Sequence, residues 1–171
     1  MLRPIVADDA PAMIADLDDE EANRLTGTTD LPSADDVVTW CATRADATDR
    51  LDLAVTERAT GRWCGEVVAN ELDRGAASCG IRIALSAHAR DRGMGTEALR
   101  LLLDHLMDGV DDPVLERVEL EVLAINPRAI AVYERLGFDR TGVRPGAVTW
   151  HDETIDAIDM VLTRGEHRRR S

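Results

Sequence analysis

A strand that runs into a helix through a loop with two glycines is the feature that most limits how this chain can fold. In residues 79–110, CGIRIALSAHARDRGMGTEALRLLLDHLMDGV, Ile81, Ile83 and Leu85 alternate with Arg82 and Ala84 at the period of a strand. Leu99, Leu102, Leu103, Leu106 and Val110 then recur at helical spacing. Between them, Arg90, Asp91, Arg92, Gly93, Met94, Gly95 and Thr96 form a loop in which the glycines permit a tight turn and close approach by a ligand. Thr96 and Glu97 are expected to open the helix, whose first amides are unpaired and lie at the positive end of its dipole, a site suited to phosphate oxygens. The loop is not a dinucleotide fingerprint, because Ala98 stands where a third glycine is required. It is not a P-loop either, because no Gly-Lys-Ser/Thr follows.

The pattern R/Q-x-x-G-x-G/A between a strand and an amphipathic helix, with Arg90, Gly93 and Gly95 in the defining places, resembles the acetyl-CoA loop of the GNAT superfamily of N-acetyltransferases. A second element of that family is expected about one strand later. It is found as Leu120-Glu121-Val122-Leu123-Ala124-Ile125-Asn126 followed by Pro127 and Ala131-Val132-Tyr133-Glu134-Arg135-Leu136-Gly137-Phe138. The resemblance is specific over residues 79–138 and loosens toward both ends. It implies a single α/β (α+β) domain over residues 1–163. Its central sheet should be mixed but mostly antiparallel, with six or seven strands flanked by about four helices, and split between strands 78–85 and 117–124 to admit CoA.

Composition narrows the partners. At 171 residues the chain suits one domain with one core. No run approaches the roughly 18 apolar residues that span a bilayer, and Asp8 and Asp9 stand where a signal peptide would be apolar, so a cytoplasmic protein is expected. The net charge is −13, and every basic residue is arginine. Such a surface repels nucleic acid and anionic membranes, and points to a halophilic origin in a salt-rich cytoplasm. Cys41, Cys64 and Cys79 are too scattered for a disulfide framework, and His88, His105, His151 and His167 show no metal-ligand spacing, so buried thiols and no metal are expected.

Taken in order, Leu2 to Val6 reads as a first strand. Asp8 or Asp9 is a candidate cap for a helix bearing Met13, Ile14 and Leu17, and residues 26–32 read as a loop. Ser33 and Asp36 have capping-box spacing ahead of Val37, Val38, Trp40 and Cys41. Strands are expected at 51–56, 63–70 and 78–85 as an antiparallel meander. The long helix is expected to end at Gly109 in a left-handed cap, with Asp111, Asp112 and Pro113 breaking the chain. Asn126 and Pro127 start a short helix carrying Ile130, Tyr133 and Leu136 on one face. Two strands, 138–143 and 154–162, follow, separated by residues 144–153. The tail, 164–171, with Arg168, Arg169 and Arg170, reads as disordered and solvated.

The resemblance also implies the chemistry. The strand before the loop, at Ile83, Ala84 and Leu85, would hold the pantetheine arm and the acetyl carbonyl, while the loop from Asp91 to Thr96 would hold the pyrophosphate. Asp91 is a departure, a carboxylate beside phosphate, which Arg90 and Arg92 would offset. Asn126 corresponds to a cofactor-contacting asparagine, although a helix cap alone explains it. Tyr133 corresponds to the acid that protonates the departing thiolate, with a core aromatic as the alternative. Glu121 corresponds to a base in some bacterial N-terminal acetyltransferases, with a solvent-facing carboxylate as the alternative. Ser78 stands where some relatives carry a catalytic glutamate, which leaves Glu66 and Glu71 as substitutes. The acceptor implied is an amine, with a protein N-terminus leading and a polyamine or aminoglycoside as alternatives. The enzyme would act as a monomer or homodimer. A CoA-binding module without turnover is the reading from a different class.

Overall fold

A computed structural model describes residues 1–44, 47–109 and 114–170 of the chain. The elements run β1 (Leu2–Pro4), α1 (Ala10–Asp16), α2 (Glu20–Thr26), α3 (Ala34–Thr43), β2 (Leu51–Thr56), β3 (Trp63–Asp73), β4 (Ser78–Leu85) and α4 (Met94–Asp108). They continue with β5 (Arg117–Leu123), α5 (Pro127–Leu136), β6 (Asp139–Trp150), β7 (Glu153–Thr163) and α6 (Arg164–Arg170). The strands form one seven-stranded sheet in the order β1-β2-β3-β4-β5-β7-β6. The meander and the mostly antiparallel sheet are as expected.

The parallel neighbours are β4 and β5, and they pair only at Ser78 with Arg117, Cys79 with Val118, and Gly80 with Glu119. Beyond Gly80, β4 stays with β3 through Leu85, whereas β5 pairs onward with β7 through Leu123. The two strands therefore diverge toward their C-terminal ends, which is the expected split. One face of the sheet is covered by α4 and α5, whose Leu99, Leu102, Leu103 and Ile130 join Val67, Ile81, Val118 and Met160 in the main core. On the other face, Val37 and Cys41 of α3 pack with Ile5, Ala54 and Trp63, with α1 alongside. All three cysteines are free and buried, as expected for inert thiols. Among the described residues no helix is long and apolar enough to cross a membrane, and no group of three or more His, Cys, Asp or Glu is arranged to hold a metal ion.

The capping signals hold at two helices. Ser33 and Asp36 cap α3 reciprocally, each side chain accepting from the other's amide, at 3.2 and 3.1 Å. Asn126 accepts from the Ala129 amide at 3.1 Å to start α5. Four expectations change. A separate helix, α2, with Asp19 as its cap, stands between the first helix and the loop, where none was expected. Gly109 is extended, φ −65° and ψ 174°, rather than left-handed, and residues 110–113 lie outside the described residues. The α4 helix opens at Met94, two residues before Thr96. Residues 144–150 are strand, not connection, because β6 is the outermost strand, where irregular pairing between Arg144 and Val148 accommodates Pro145 and Gly146 without breaking the ladder.

The tail is a fifth correction. Residues 164–170 form α6, started by Thr163 and Glu166 as a reciprocal capping box at 3.4 and 2.9 Å. His167, only 4% exposed, places Nε2 3.0 Å from Asp104 on α4, and Arg168 bonds Asp108 at 2.7 Å. Of the arginines that suggested a solvated tail, Arg168 meets the acidic C-terminal end of α4, a favourable place for a cation, and the Arg170 stem lies against Gly137.

Candidate active site

The loop after β4 is built by backbone conformation before any side chain contributes. Residues 87–89 make a single tight turn, Asp91 turns left-handed at φ 59°, and Gly93 does the same at φ 77°, after which α4 begins. Asp91 is a residue type that tolerates this conformation, and both its carboxylate oxygens lie 2.9 Å from Arg128 Nη1 on α5. No side chain caps α4. Its first-turn amides therefore have no side-chain partner at this end, an arrangement suited to phosphate oxygens. A side-chain Cβ at Gly95 would lie 3.2 Å from Leu85 Cδ1 and 3.7 Å from Ile83 Cδ1, so a side chain here would press on the floor of the cleft. Met94 instead packs against the core, leaving only its backbone to the ligand.

The arginines of the loop do different work from that expected. Arg90 donates from Nε to the Leu85 carbonyl at 3.1 Å, from Nη1 to Glu21 at 3.1 Å, and pairs with Asp19. Its side chain is only 12% exposed, and it ties the loop and the end of β4 to α2. Burial pushes the Asp19 carboxyl up, but the Ala22 amide and Arg90 outweigh this and hold it below its usual value. Arg92 pairs with Glu57 at 3.1 Å. Asp91 is thus offset by Arg128 rather than by its neighbours in the loop. Arg128 and Arg135, seven residues apart on α5, line the loop-side cleft and were missed in the sequence. A spacing of two helical turns before an established helix face was the available signal.

Two cavities meet behind this loop. The smaller, about 340 Å³, runs from Gly93, Gly95 and Thr96 along Ile83 and Leu85 to Tyr133. The larger, about 1120 Å³, opens through the gap between β4 and β5 on the side of α1, α2 and α3. Ile83, Ala84, Leu85, Asn126, Ala129 and Tyr133 line both cavities. The strand and helix positions expected to hold the reacting group therefore stand at their junction. Asn126 gives its side-chain oxygen to the helix cap, so its amide NH2 is what it offers a ligand. Tyr133 is 7% exposed, its ring set edge-on to Phe138 with centroids 5.8 Å apart. Burial pushes its hydroxyl up to about 12, which keeps it a proton donor at neutral pH.

Glu121 faces the larger cavity but not the smaller. It is exposed and ion-paired with Arg144, which also reaches Asp159 at 3.1 Å, and Asp159 is its register partner on β7. Deeper in the same cleft, Asp16 accepts from the Trp63 indole at 2.8 Å and the Ser86 hydroxyl at 2.7 Å. Glu66, on β3, lines the same cavity. Its Oε2 is buried without a hydrogen-bond partner among the described residues.

The sequence is similar to known acetyltransferases on both sides of this geometry. It is 38% identical over 82 residues to the [ribosomal protein bS18]-alanine N-acetyltransferase of Escherichia coli K12, covering 48% of this chain and 53% of that protein. The chain thus spans about half the length of the ribosomal-protein acetyltransferases that it matches. It is 33% identical over 109 residues to a kanamycin resistance protein of Rhizobium radiobacter, covering 64% of this chain and 88% of the relative. The fold superposes on the spermidine N-acetyltransferase of Vibrio cholerae, solved with CoA and spermine, with a TM-score of 0.88 over 98% of this chain and 97% of that one, at 17% identity. An acetyltransferase (GNAT) domain model matches residues 1–139, covering the diverging strands, the glycine loop and the Asn126–Tyr133 helix, and the chain belongs to that family.

Proposed function

We propose that this protein transfers the acetyl group of acetyl-CoA to a primary amine by direct attack in a ternary complex, with a protein N-terminus as the leading acceptor. The observation that carries this reading is the meeting of two clefts at Ala84 and Tyr133, one ending in the α4 amides and the other open to solvent beneath α1 to α3. The residues present suit the cosubstrate. The amides of α4 suit a pyrophosphate, Arg128 cancels the Asp91 carboxylate, Arg135 adds positive charge beside it, and the floor at Ile83 and Leu85 suits an apolar arm. The edges of β4 beyond Gly80, no longer paired with β5, offer backbone groups to the pantetheine amides and the acetyl oxygen.

The chain's own chemistry is positional and protonic. Holding amine and thioester together converts a two-body encounter into a local one, and Tyr133 donates its proton to the departing sulfur. A second acceptor class is favoured by one feature of the cleft: its deep end carries Asp16 and Glu66, an environment for a cation, as on a polyamine or aminoglycoside. Thiol release from acetyl-CoA, measured with an alanine-starting peptide, spermidine and kanamycin, tests both. Release with any of these supports transfer and ranks the acceptors, whereas CoA binding without release from any of them indicates a binding module.

A further inference from the structure

Among the described residues, Glu66 is the carboxylate of the acceptor cleft that the fold buries and leaves without a full set of partners. Burial disfavours its charged form and raises its proton affinity. The charged groups acting on it come from α1, β4 and the β2 region. Arg82 of β4 and Arg50 beside β2 oppose the rise, while Asp52 of β2 and Asp16 of α1 reinforce it. The two arginines do not complete it. Arg50 is held by Asp52 through two bonds of 2.6 and 2.7 Å, and Oε2 of Glu66 still has no hydrogen-bond partner. A buried acceptor atom without a donor is destabilising, so a fold that retains one at a cleft wall gains when a donor arrives there.

The position matters as much as the burial. Glu66 is the register partner of Ala84, which lines both cavities where they meet. Directly opposed residues of an antiparallel pair have Cβ atoms about 4.5–5.5 Å apart. A nitrogen donating to Oε2 would thus stand beside the strand position that faces the reacting carbonyl. Glu121 has no such vacancy, since Arg144 already occupies its carboxylate in an exposed site.

Resting on the acetyl-transfer reading above, we propose that Glu66 is the seat and proton acceptor for the ammonium group of the acceptor amine. The ammonium fills the missing donor at Oε2 and gives one proton to the carboxylate, which passes it to bulk water. The neutral nitrogen then attacks the acetyl carbon. A C–N bond forms, the C–S bond breaks, and the sulfur takes the Tyr133 proton while the nitrogen's second proton restores the tyrosine. One proton is released per acetyl group transferred. A carboxyl of raised proton affinity suits this exchange near neutral pH better than an exposed one.

The test compares wild type, Glu66→Gln and Glu121→Gln in two readouts. Calorimetry with spermidine and with kanamycin, on protein saturated with CoA, reads the seat. Thiol release from pH 6 to 10 reads the proton transfer. Glu66→Gln is expected to weaken amine binding at least tenfold at pH 7 and to lower kcat/KM about 10²- to 10⁴-fold. That deficit should shrink as pH approaches the amine's own pKa, because the nitrogen then arrives neutral. CoA affinity should be unchanged and thermal stability equal or higher, since a buried charge has been removed. Losses in Glu121→Gln equal to or larger than those in Glu66→Gln would assign the role to Glu121 and overturn the proposal. Wild-type amine affinity in Glu66→Gln, or no amine binding to the wild-type cleft, overturns the seat. An unaltered acidic limb in Glu66→Gln overturns the proton transfer. Amine binding that depends on Glu66 without thiol release from wild type would uphold the seat and count against transfer, which separates the two claims.

Discussion

Replacing Gly95 by valine is the perturbation that most sharply separates a cofactor loop from an ordinary strand-to-helix turn. The Cβ alone would stand 3.2 Å from Leu85 Cδ1, and the two further methyls would press on the cleft floor formed by Leu85 and Ile83. Forcing extra atoms against packed side chains costs about 1–3 kcal/mol. Removing a helical glycine returns about 0.5–1 kcal/mol. The expected net destabilisation is therefore about 0–2.5 kcal/mol. Binding should suffer more. A hydrogen bond from an amide to a charged oxygen contributes about 1.5–3 kcal/mol, so losing two of them costs about 3–6 kcal/mol, which is about 10²- to 10⁴-fold in affinity. Calorimetric titration with CoA and a thermal melt on the same samples separate the effects. Gly93→Ala provides the contrast. No atom lies within 4 Å of a Cβ there, but φ is 77°, so it should cost about 1–2 kcal/mol of stability with a milder loss of affinity. Wild-type CoA affinity in a folded Gly95→Val would refute the assignment of the α4 amides to a phosphate.

Two further outcomes follow from the ends and the surface of the molecule. Truncation after Thr163 removes His167 and the arginine stems that lie on α4 and over Gly137, and should lower stability by about 1–2 kcal/mol, or about 2–8 °C in Tm. CoA affinity should not change, because Asp108 lies about 21 Å along α4 from Met94. An unchanged melting temperature would mean that α6 contributes nothing to the fold. With a net charge of −13, the unfolding midpoint should rise as KCl increases from 0.1 to 3 M, because screening of self-repulsion outweighs the weakening of exposed ion pairs, each worth little. Equal stability across that range would contradict a salt-adapted surface.

The parts of the site that were legible in the sequence are those where one residue type is forced by local geometry. Gly93 must turn left-handed, Gly95 must leave Leu85 room, and Asn126 with Pro127 must start a helix, so each leaves a mark that survives without a structure. What could not be read depends on which partner lies across space. Arg90 looks like a phosphate ligand in the loop, but Asp19 and Glu21, some seventy positions away in the chain, hold it. Arg128 looks like an ordinary surface cation until Asp91 is found opposite it. The missing partner of Glu66 depends on which side chains meet across space, and no local pattern records it. The α2 helix is only seven residues long, too short for its periodicity to stand out. The α6 helix did carry a signal, Thr163 and Glu166 at capping-box spacing, but the run of arginines after it resembled a solvated tail.

The central claim is that the junction of the two clefts performs acetyl transfer, and Tyr133→Phe tests it most directly. The substitution keeps the ring that packs on Phe138 while removing a hydroxyl from the junction of the two cavities, so folding and CoA affinity should be preserved. Thiol release from acetyl-CoA, measured under conditions where chemistry limits turnover, should fall about 10²- to 10⁴-fold in kcat for whichever amine the wild type accepts. A wild-type rate in Tyr133→Phe from pH 6 to 10 would contradict the account, leaving Tyr133 as a core aromatic and the sulfur's proton to come from water.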